Sequence, residues 1–531
     1  MILAFLFMIK SSKYFIQSTI FLFLLYTYSC SIVRKINLTV TDLGRHLKNG
    51  ELFIHNFSIP AGNLYSYTCP DYPFINHHWG SGVIFYLIKT FSGFNGLSIF
   101  IILISIATLF LFFHVAWKYS SFEIAALVAV IAIPTMASRF RIRPEVFSYF
   151  FCALFFWILY NWKNKRIKHN FLILLPILEI LWGNLHIYFF IGIILIGIFL
   201  LDCLIAFFIH KSKETRVFLK QISVVFIFSI IATLLNPATV KGALYPFKIL
   251  VNFGIDTFDL QSVYQLRKVI AMTQFDFPPL FYFSLIFNLF LLSWVFVLIK
   301  LIKRKAPFPF IRLALSIIFS FMALTAVRNF AIFGYFALPI IAINLRSCIK
   351  KDIDNLLGYL IVFLLVILIF FCLFLAKPQF WPDKRTFGIG LEKGTTDAIN
   401  LFQNEKIQGP VFNNFDTGGY LTYYLYPQQR VFIDNRPEAY PLDLKNTYLA
   451  CQKDDTQWER LRSAYNFNVI FFSPHVNTPW GQSFLLRRLL DPLWAPVYVD
   501  DYFIIFLRRK GPNQGTIEKY ELPKDIFFPD K

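Results

Sequence analysis

Apolar stretches separated by short polar loops run through the chain as far as residue 376. They fall near 14–33, 95–117, 122–137, 145–162, 171–183, 186–209, 221–235, 280–299, 308–325, 330–345 and 359–376. A helix needs roughly 20 residues to cross the hydrocarbon of a bilayer, so the pattern predicts about eleven transmembrane helices. The runs at 171–183 and 186–209 are separated only by a polar break at Gly183 and Asn184. The first run is as long as a span and no small-x-small cleavage site follows it, which reads as an uncleaved signal anchor.

Beyond residue 376 the period changes. The pattern predicts helix 393–404, strand 410–413, helix 418–425 and strand 430–433, then helices to about 465. Strand 468–472, helix 481–490 and a strand pair at 496–499 and 502–507 follow. Strands alternating with helices imply a small α/β domain. The expected fold is therefore a polytopic α-helical membrane protein with a C-terminal extracytoplasmic α/β domain. Its membrane domain would span 1–376, including a first extracytoplasmic loop at 34–94, and the α/β domain 377–531. A second long polar segment lies at 236–279.

Loop charge sets the orientation. Lys10 and Lys13 precede the first span, and alternate loops carry Lys118, Lys163 to Lys168, Lys211 to Lys220, Lys300 to Lys305 and Arg346 to Lys351. By the positive-inside rule these loops and the N-terminus are cytoplasmic, and an odd number of spans puts the C-terminal domain outside. The expected location is the bacterial inner membrane.

Composition narrows the class. Of 531 residues 57% are hydrophobic, 19% aromatic and only 15% charged, at a mean hydropathy of +0.57. A soluble protein of this size could not build its polar shell from that supply. The net charge of +20 sits almost wholly in the membrane part. Residues 1–376 carry 32 basic and 13 acidic side chains, against 19 and 18 in 377–531. A nucleic-acid binder would concentrate its excess in a soluble arm or domain, so no nucleic-acid partner is expected. The seven cysteines form no CxxC pair.

Against this background a few polar residues stand out. Asp42, Arg45 and His46 follow the first span at i, i+3 and i+4, on one face if helical. A carboxylate, a guanidinium and an imidazole at the membrane surface suit a phosphate-linked substrate, and the same spacing also serves an amphipathic interfacial helix. His77 and His78 precede Trp79 and could donate to phosphate, although adjacent histidines rarely ligate one ion. Arg139, Arg141 and Arg143 alternate in a short loop placed outside, against the positive-inside trend. Their partner would be a lipid phosphate or pyrophosphate, or else Glu145 or an acid in a neighbouring loop. Arg328 repeats the anomaly. Glu179, Asn184 and His186 interrupt apolar helices and would face a cavity or a partner, whereas Glu123 and Asp202 read as structural. In the tail, Asp434 and Arg436 are expected to form a local pair, and Gly418-Gly419 belongs to no nucleotide-binding pattern.

Taken in order, several motifs resemble those of a bacterial family of GT-C glycosyltransferases. They are Asp-Leu-Gly-x-His-Leu-x-x-Gly at 42–50, Asn-His-His-Trp at 76–79, Arg-Pro-Glu-x-Phe-Ser at 143–148 and Trp-x-Asn-Leu-His at 182–186. Leu-Asn-Pro at 235–237, Ala-Val-Arg-Asn at 326–329, Gly-Gly-Tyr at 418–420 and Phe-Ile-Asp-x-Arg at 432–436 continue the series. The resemblance implies a many-helix enzyme that takes sugar from a polyprenyl-phosphate carrier and passes it to a glycan, lipid or protein acceptor. It implies Asp42 as general base or metal-binding carboxylate, and Arg45 as a contact to the donor phosphate. His78 stands where related chains often carry Glu, so a second carboxylate is missing and no metal is assigned, with Asp42 its one candidate ligand. Arg45, His46, His77, His78, Arg139, Arg141, Arg143, His186 and Arg328 are the candidate substrate-binding residues, in contact with donor and membrane lipid. A lipid or polysaccharide transporter, or a non-catalytic membrane assembly protein, would use similar basic loops; a transporter would more often show repeated halves, and none are evident.

Overall fold

A computed structural model describes residues 2–60, 62–139, 141–248, 258–273, 277–303, 307–348, 386–475 and 479–527. The expected span at 359–376 lies outside the described residues. The chain divides into two compact units. One comprises Met1–Arg34, Ser98–Ala243 and Asp256–Ile389, the other Lys35–Leu97, Leu244–Ile255 and Gly390–Lys531.

The first unit is helical, and every apolar run among its described residues is a helix. These are α1 (Ile2–Ile32), the later part of α3 (Trp79–Tyr119), α4 (Phe122–Met136), α5 (Glu145–Lys163), α6 (Leu174–Leu185), α7 (Phe190–His210) and α8 (Lys213–Ala232). After α9 (Thr239–Ala243), and with α10 (Tyr245–Lys248) in the second unit, come α11 (Val263–Thr273), α12 (Pro278–Ile302), α13 (Phe310–Thr325) and α14 (Phe330–Cys348). Among the described residues eight helices are long and apolar enough to cross a membrane, and two shorter apolar ones, His169–Leu185 and Phe310–Thr325, accompany them. The protein is an integral membrane protein.

Local chemistry sets the ends of these helices. Ser121 and Ser212 cap α4 and α8 by accepting from the backbone N–H groups of Ile124 and Thr215. His186, extended at φ −155 and ψ 145, ends α6, and a 3-10 turn (Ile187–Phe189) leads into α7. The polar break between the fifth and sixth apolar runs is therefore a true interruption. Helix α3 starts well before the apolar run at 95–117 and is bent at Gly93, whose φ of 65 and ψ of −170 suit glycine alone.

Helix α4 packs against α1, α12 and α14, and α7 against α5 and α8. Aromatic rings also fill the contacts of α14 with α1, α12 and α13. Phe319 stacks on Phe336 at 3.8 Å and Phe283 on Phe330 at 4.0 Å, and the Tyr28 and Tyr335 hydroxyls share a hydrogen bond.

In the second unit, α2 (Leu43–Asn56) follows the first span. The C-terminal part is an α/β domain around a four-stranded sheet of order β1-β2-β4-β3, with β1 (Val411–Asn413), β2 (Val469–Phe472), β3 (Trp494–Val499) and β4 (Ile504–Arg508). The β1–β2 pair is parallel and the others antiparallel. Helices α15 (Asp397–Asn404), α16 (Gly418–Leu425), α17 (Leu442–Lys453), α18 (Asp455–Tyr465), α19 (Pro479–Leu490) and α20 (Gln514–Tyr520) surround it. Phe412 is fully buried among Trp458, Phe467, Phe472 and Phe484. Burying one such ring contributes about 1.5–3 kcal/mol.

The expected strand at 430–433 is not part of this sheet. Val431 makes an isolated parallel bridge to Ser66: its N–H donates to Tyr65 and its carbonyl accepts from Tyr67. The Asn413 side chain accepts from the Phe432 N–H and donates to the Ile433 carbonyl. Backbone groups satisfied in this way need no strand neighbour.

Candidate functional site

Asp42 is the residue before the first turn of α2, and its side chain does not cap the helix. It turns instead to the next turn, as the i, i+3, i+4 spacing predicts. Its Oδ2 atom lies 3.2 Å from an Arg45 guanidinium nitrogen and 3.2 Å from His46 Nε2. His46 Nε2 also lies 3.4 Å from the same Arg45 nitrogen, so the three side chains form one contact triangle. Arg45 and His46 are buried, while about a quarter of the Asp42 side chain remains accessible. One carboxylate oxygen thus sits between a guanidinium and an imidazole at the edge of a buried cluster.

Close helix packing adds His78. A Cβ on Gly50 would fall 2.2 Å from the Gly82 carbonyl oxygen, and one on Gly82 would fall 2.6 Å from that of His46. Only glycines allow α2 and the start of α3 to approach this closely, and the approach brings the His46 and His78 rings to 5.4 Å. His77 stacks on His78 at 3.9 Å and on Tyr245 at 4.8 Å. Its Nδ1 lies 3.1 Å from the Ile75 carbonyl, which can only accept, so Nδ1 carries the proton.

The C-terminal domain completes this cluster. Arg45 Nε donates to Asn435 Oδ1 at 3.4 Å, and Gly44 lies against Gly419 of α16. Next to Asn435, Arg436 is fully buried and pairs with Asp434, as the sequence predicts. Asn63 accepts from the same guanidinium, and the Phe74 and Tyr65 rings lie 4.6 and 5.1 Å from it. Sequence reading missed Asn435 and Glu438. Burial raises the pKa of the Glu438 carboxyl, partly offset by its own backbone hydrogen bond and by Arg45. No local signal marks either residue, since their neighbours lie several hundred positions away in sequence.

The membrane unit carries a separate basic group. Arg139 pairs with Glu145, and both Arg139 and Arg143 reach Asp259 Oδ2 at 2.8 Å. Arg139, Arg141, Arg143, Glu145, Tyr149 and Tyr335 line a narrow, partly enclosed cleft. Burial alone would raise the pKa of Asp259, but the two arginines outweigh it and hold the carboxyl well below its usual range. The acid in a neighbouring loop that the arginine anomaly calls for is Asp259. His186 is buried and hydrogen-bonded through Nδ1 to Ser148, which also accepts from the Trp182 indole at 2.7 Å. The Arg328 guanidinium lies 5.8 Å from the Tyr188 ring, and its Nε has no hydrogen-bond partner among the described residues. The candidates therefore fall into two sets, Asp42, Arg45, His46, His77 and His78 in one unit and Arg139, Arg141, Arg143, His186 and Arg328 in the other.

Among the described residues no group of three or more His, Cys, Asp or Glu side chains is placed to hold a metal ion. Asp42 Oδ2 faces Arg45 and His46, and the imidazoles around it meet edge-on or tilted rather than converge on a point. This donor set does not fit a hard divalent cation, which prefers several oxygens.

The fold matches those of solved archaeal oligosaccharyltransferases. It is similar to the archaeal oligosaccharyltransferase AglB of Archaeoglobus fulgidus solved with an inhibitory peptide and a dolichol-phosphate, at a TM-score of 0.55 and 12% identity, over 94% of this chain and 75% of that one. The Archaeoglobus fulgidus oligosaccharyltransferase tethered to an acceptor peptide with an NVT sequon gives 0.52 and 11%, over 93% and 74%. Its apo form gives 0.51 and 12%, over 93% and 75%. At these identities the likeness is one of fold, and it agrees with the architecture the motifs imply. No protein-family model matches the chain, and no curated protein does.

Proposed function

We propose that the chain is a membrane glycosyltransferase that moves a sugar from a polyprenyl-phosphate donor to an extracytoplasmic acceptor. The observation that carries this reading is the partly exposed Asp42 side chain beside Arg45 and His46. The acceptor oxygen attacks the anomeric carbon as the bond from that carbon to the phosphate oxygen breaks. The phosphate leaves with the electron pair, and the acceptor proton passes to Asp42. Arg45 and His46 fix the carboxylate, so no reorganisation is needed as the proton arrives. Arg45, His77 and His78, in the same unit as Asp42, are the candidate donor-phosphate contacts beside it, and Arg139, Arg141, Arg143, His186 and Arg328 are candidate contacts for lipid phosphate in the membrane unit.

The dolichol-phosphate and acceptor peptide of the structurally similar oligosaccharyltransferases support a lipid-linked donor and place a peptide among the candidate acceptors, beside a glycan or a lipid. In this reading the protein sits in a bacterial inner membrane with its N-terminus cytoplasmic. Replacing all three loop arginines by glutamine tests it, with the full chain in lipid nanodiscs. Loss of polyprenyl-phosphate-sugar binding supports the enzyme. Retained binding with lost lipid flux would indicate a transporter, and no effect at all a scaffold.

A further inference from the structure

Helix α8 carries a second basic group, which the proposed transfer does not use. Lys213, Arg216, Val217 and Lys220, all exposed, line an open groove of about 510 Å³. One water needs only about 10–15 Å³, so a phosphate headgroup has ample room there. No carboxylate lines the groove, and the neighbouring Glu214 pairs with Lys165. At 3.6 residues per turn Lys213, Arg216 and Lys220 share one face of the helix. The same face continues through Val224, Ile227, Phe228 and Ile231, which are exposed. Ile222, Val225, Ser229 and Ala232, on the opposite face, are buried, and α8 packs against α6 and α7.

The positive-inside rule accounts for cations in this loop but not for their alignment with an exposed apolar stripe. A soluble anion would occupy the groove and leave the stripe in contact with nothing it recognises. A neutral lipid would cover the stripe and leave the cations unmatched. A molecule with an anionic head and acyl chains satisfies both. From Lys220 to Ile231 the helix rises about 16 Å, close to half of a hydrocarbon core roughly 30 Å thick. The stripe is therefore about as long as one leaflet is deep. We infer that the basic groove and apolar stripe of α8 bind an anionic phospholipid of the surrounding bilayer, its phosphate held by Lys213, Arg216 and Lys220. Its acyl chains run along Val224, Ile227, Phe228 and Ile231. None of these residues belongs to either candidate set described above.

The test titrates the full chain in detergent micelles with palmitoyl-oleoyl-phosphatidylglycerol and with the phosphatidylcholine of the same chains, reading bound lipid by native mass spectrometry. The wild type should bind the anionic lipid about tenfold more tightly. Replacing Lys213, Arg216 and Lys220 together by glutamine should abolish that preference, with the unfolding midpoint retained because these side chains are exposed. Lys213→Arg with Lys220→Arg, which keeps the charge, should keep the preference. Lys300→Gln with Lys303→Gln, at the end of α12, should leave it unchanged. Equal wild-type affinity for the two lipids, an unaltered preference in the triple variant, or an equal loss in the α12 variant overturns the site. Displacement of the lipid by an equal concentration of glycerophosphoglycerol overturns the role of the stripe. Tighter binding of undecaprenyl phosphate than of phosphatidylglycerol, lost in the triple variant, overturns the phospholipid assignment in favour of a carrier lipid.

Discussion

Gly50 and Gly82 meet so closely that a Cβ on Gly50 would lie 2.2 Å from the Gly82 carbonyl oxygen. This contact sets the approach of α2 to the start of α3, and with it the 5.4 Å spacing of the His46 and His78 rings. The obstructing atoms are backbone, so they cannot move aside cheaply. Gly50→Ala should cost about 1–3 kcal/mol, read as a lower unfolding midpoint. Gly515, with nothing within 4 Å of its Cβ direction, is the control, and Gly515→Ala should be nearly silent. Equal effects in the two variants would show that the helix contact is not tight.

Arg436 is a fully buried cation of the C-terminal domain. Asp434 and Asn63 satisfy it, and two aromatic rings cover it. Arg436→Ala leaves the Asp434 charge buried and alone, at a cost of about 3–5 kcal/mol. Thermal unfolding should show the loss. A shift as small as that of an exposed ion pair, such as Lys165 with Glu214, would contradict the burial of this pair.

Asp259 gives a pH prediction. Its folded pKa is depressed, because Arg139 and Arg143 outweigh the effect of burial. A depressed carboxyl contributes stability that is full above the unfolded pKa, about 3.9, and is lost as pH falls through the folded value. The difference in melting temperature between wild type and Asp259→Asn should therefore stay constant from about pH 8 to pH 5 and shrink only in stronger acid. A difference that shrinks between about pH 7 and pH 5 would show that the arginines do not hold this carboxylate ionised.

Much of the architecture is legible in local pattern. Apolar runs of helical length become helices, and the polar break before His186 is a real interruption, because both depend on neighbouring residues. The Asp42, Arg45 and His46 face follows from helical spacing alone. What could not be read are partners chosen across the fold. Asp259 meets Arg139 and Arg143 from more than a hundred positions away, and Asn435 meets Arg45 from 390. Val431 shows the opposite failure: its β-branched, apolar surroundings read as a strand, but the loop at Tyr65 and Tyr67 takes its backbone hydrogen bonds.

The proposed chemistry rests on the Asp42 carboxylate, which Asn can replace in shape but not as a base. The most direct measurement is transfer of labelled sugar from a polyprenyl-phosphate donor by the full chain in nanodiscs, comparing wild type with Asp42→Asn. The account predicts transfer by the wild type and its loss in the variant, by about a hundredfold or more, with membrane insertion and unfolding midpoint essentially retained. Undiminished transfer by a folded Asp42→Asn protein would contradict it.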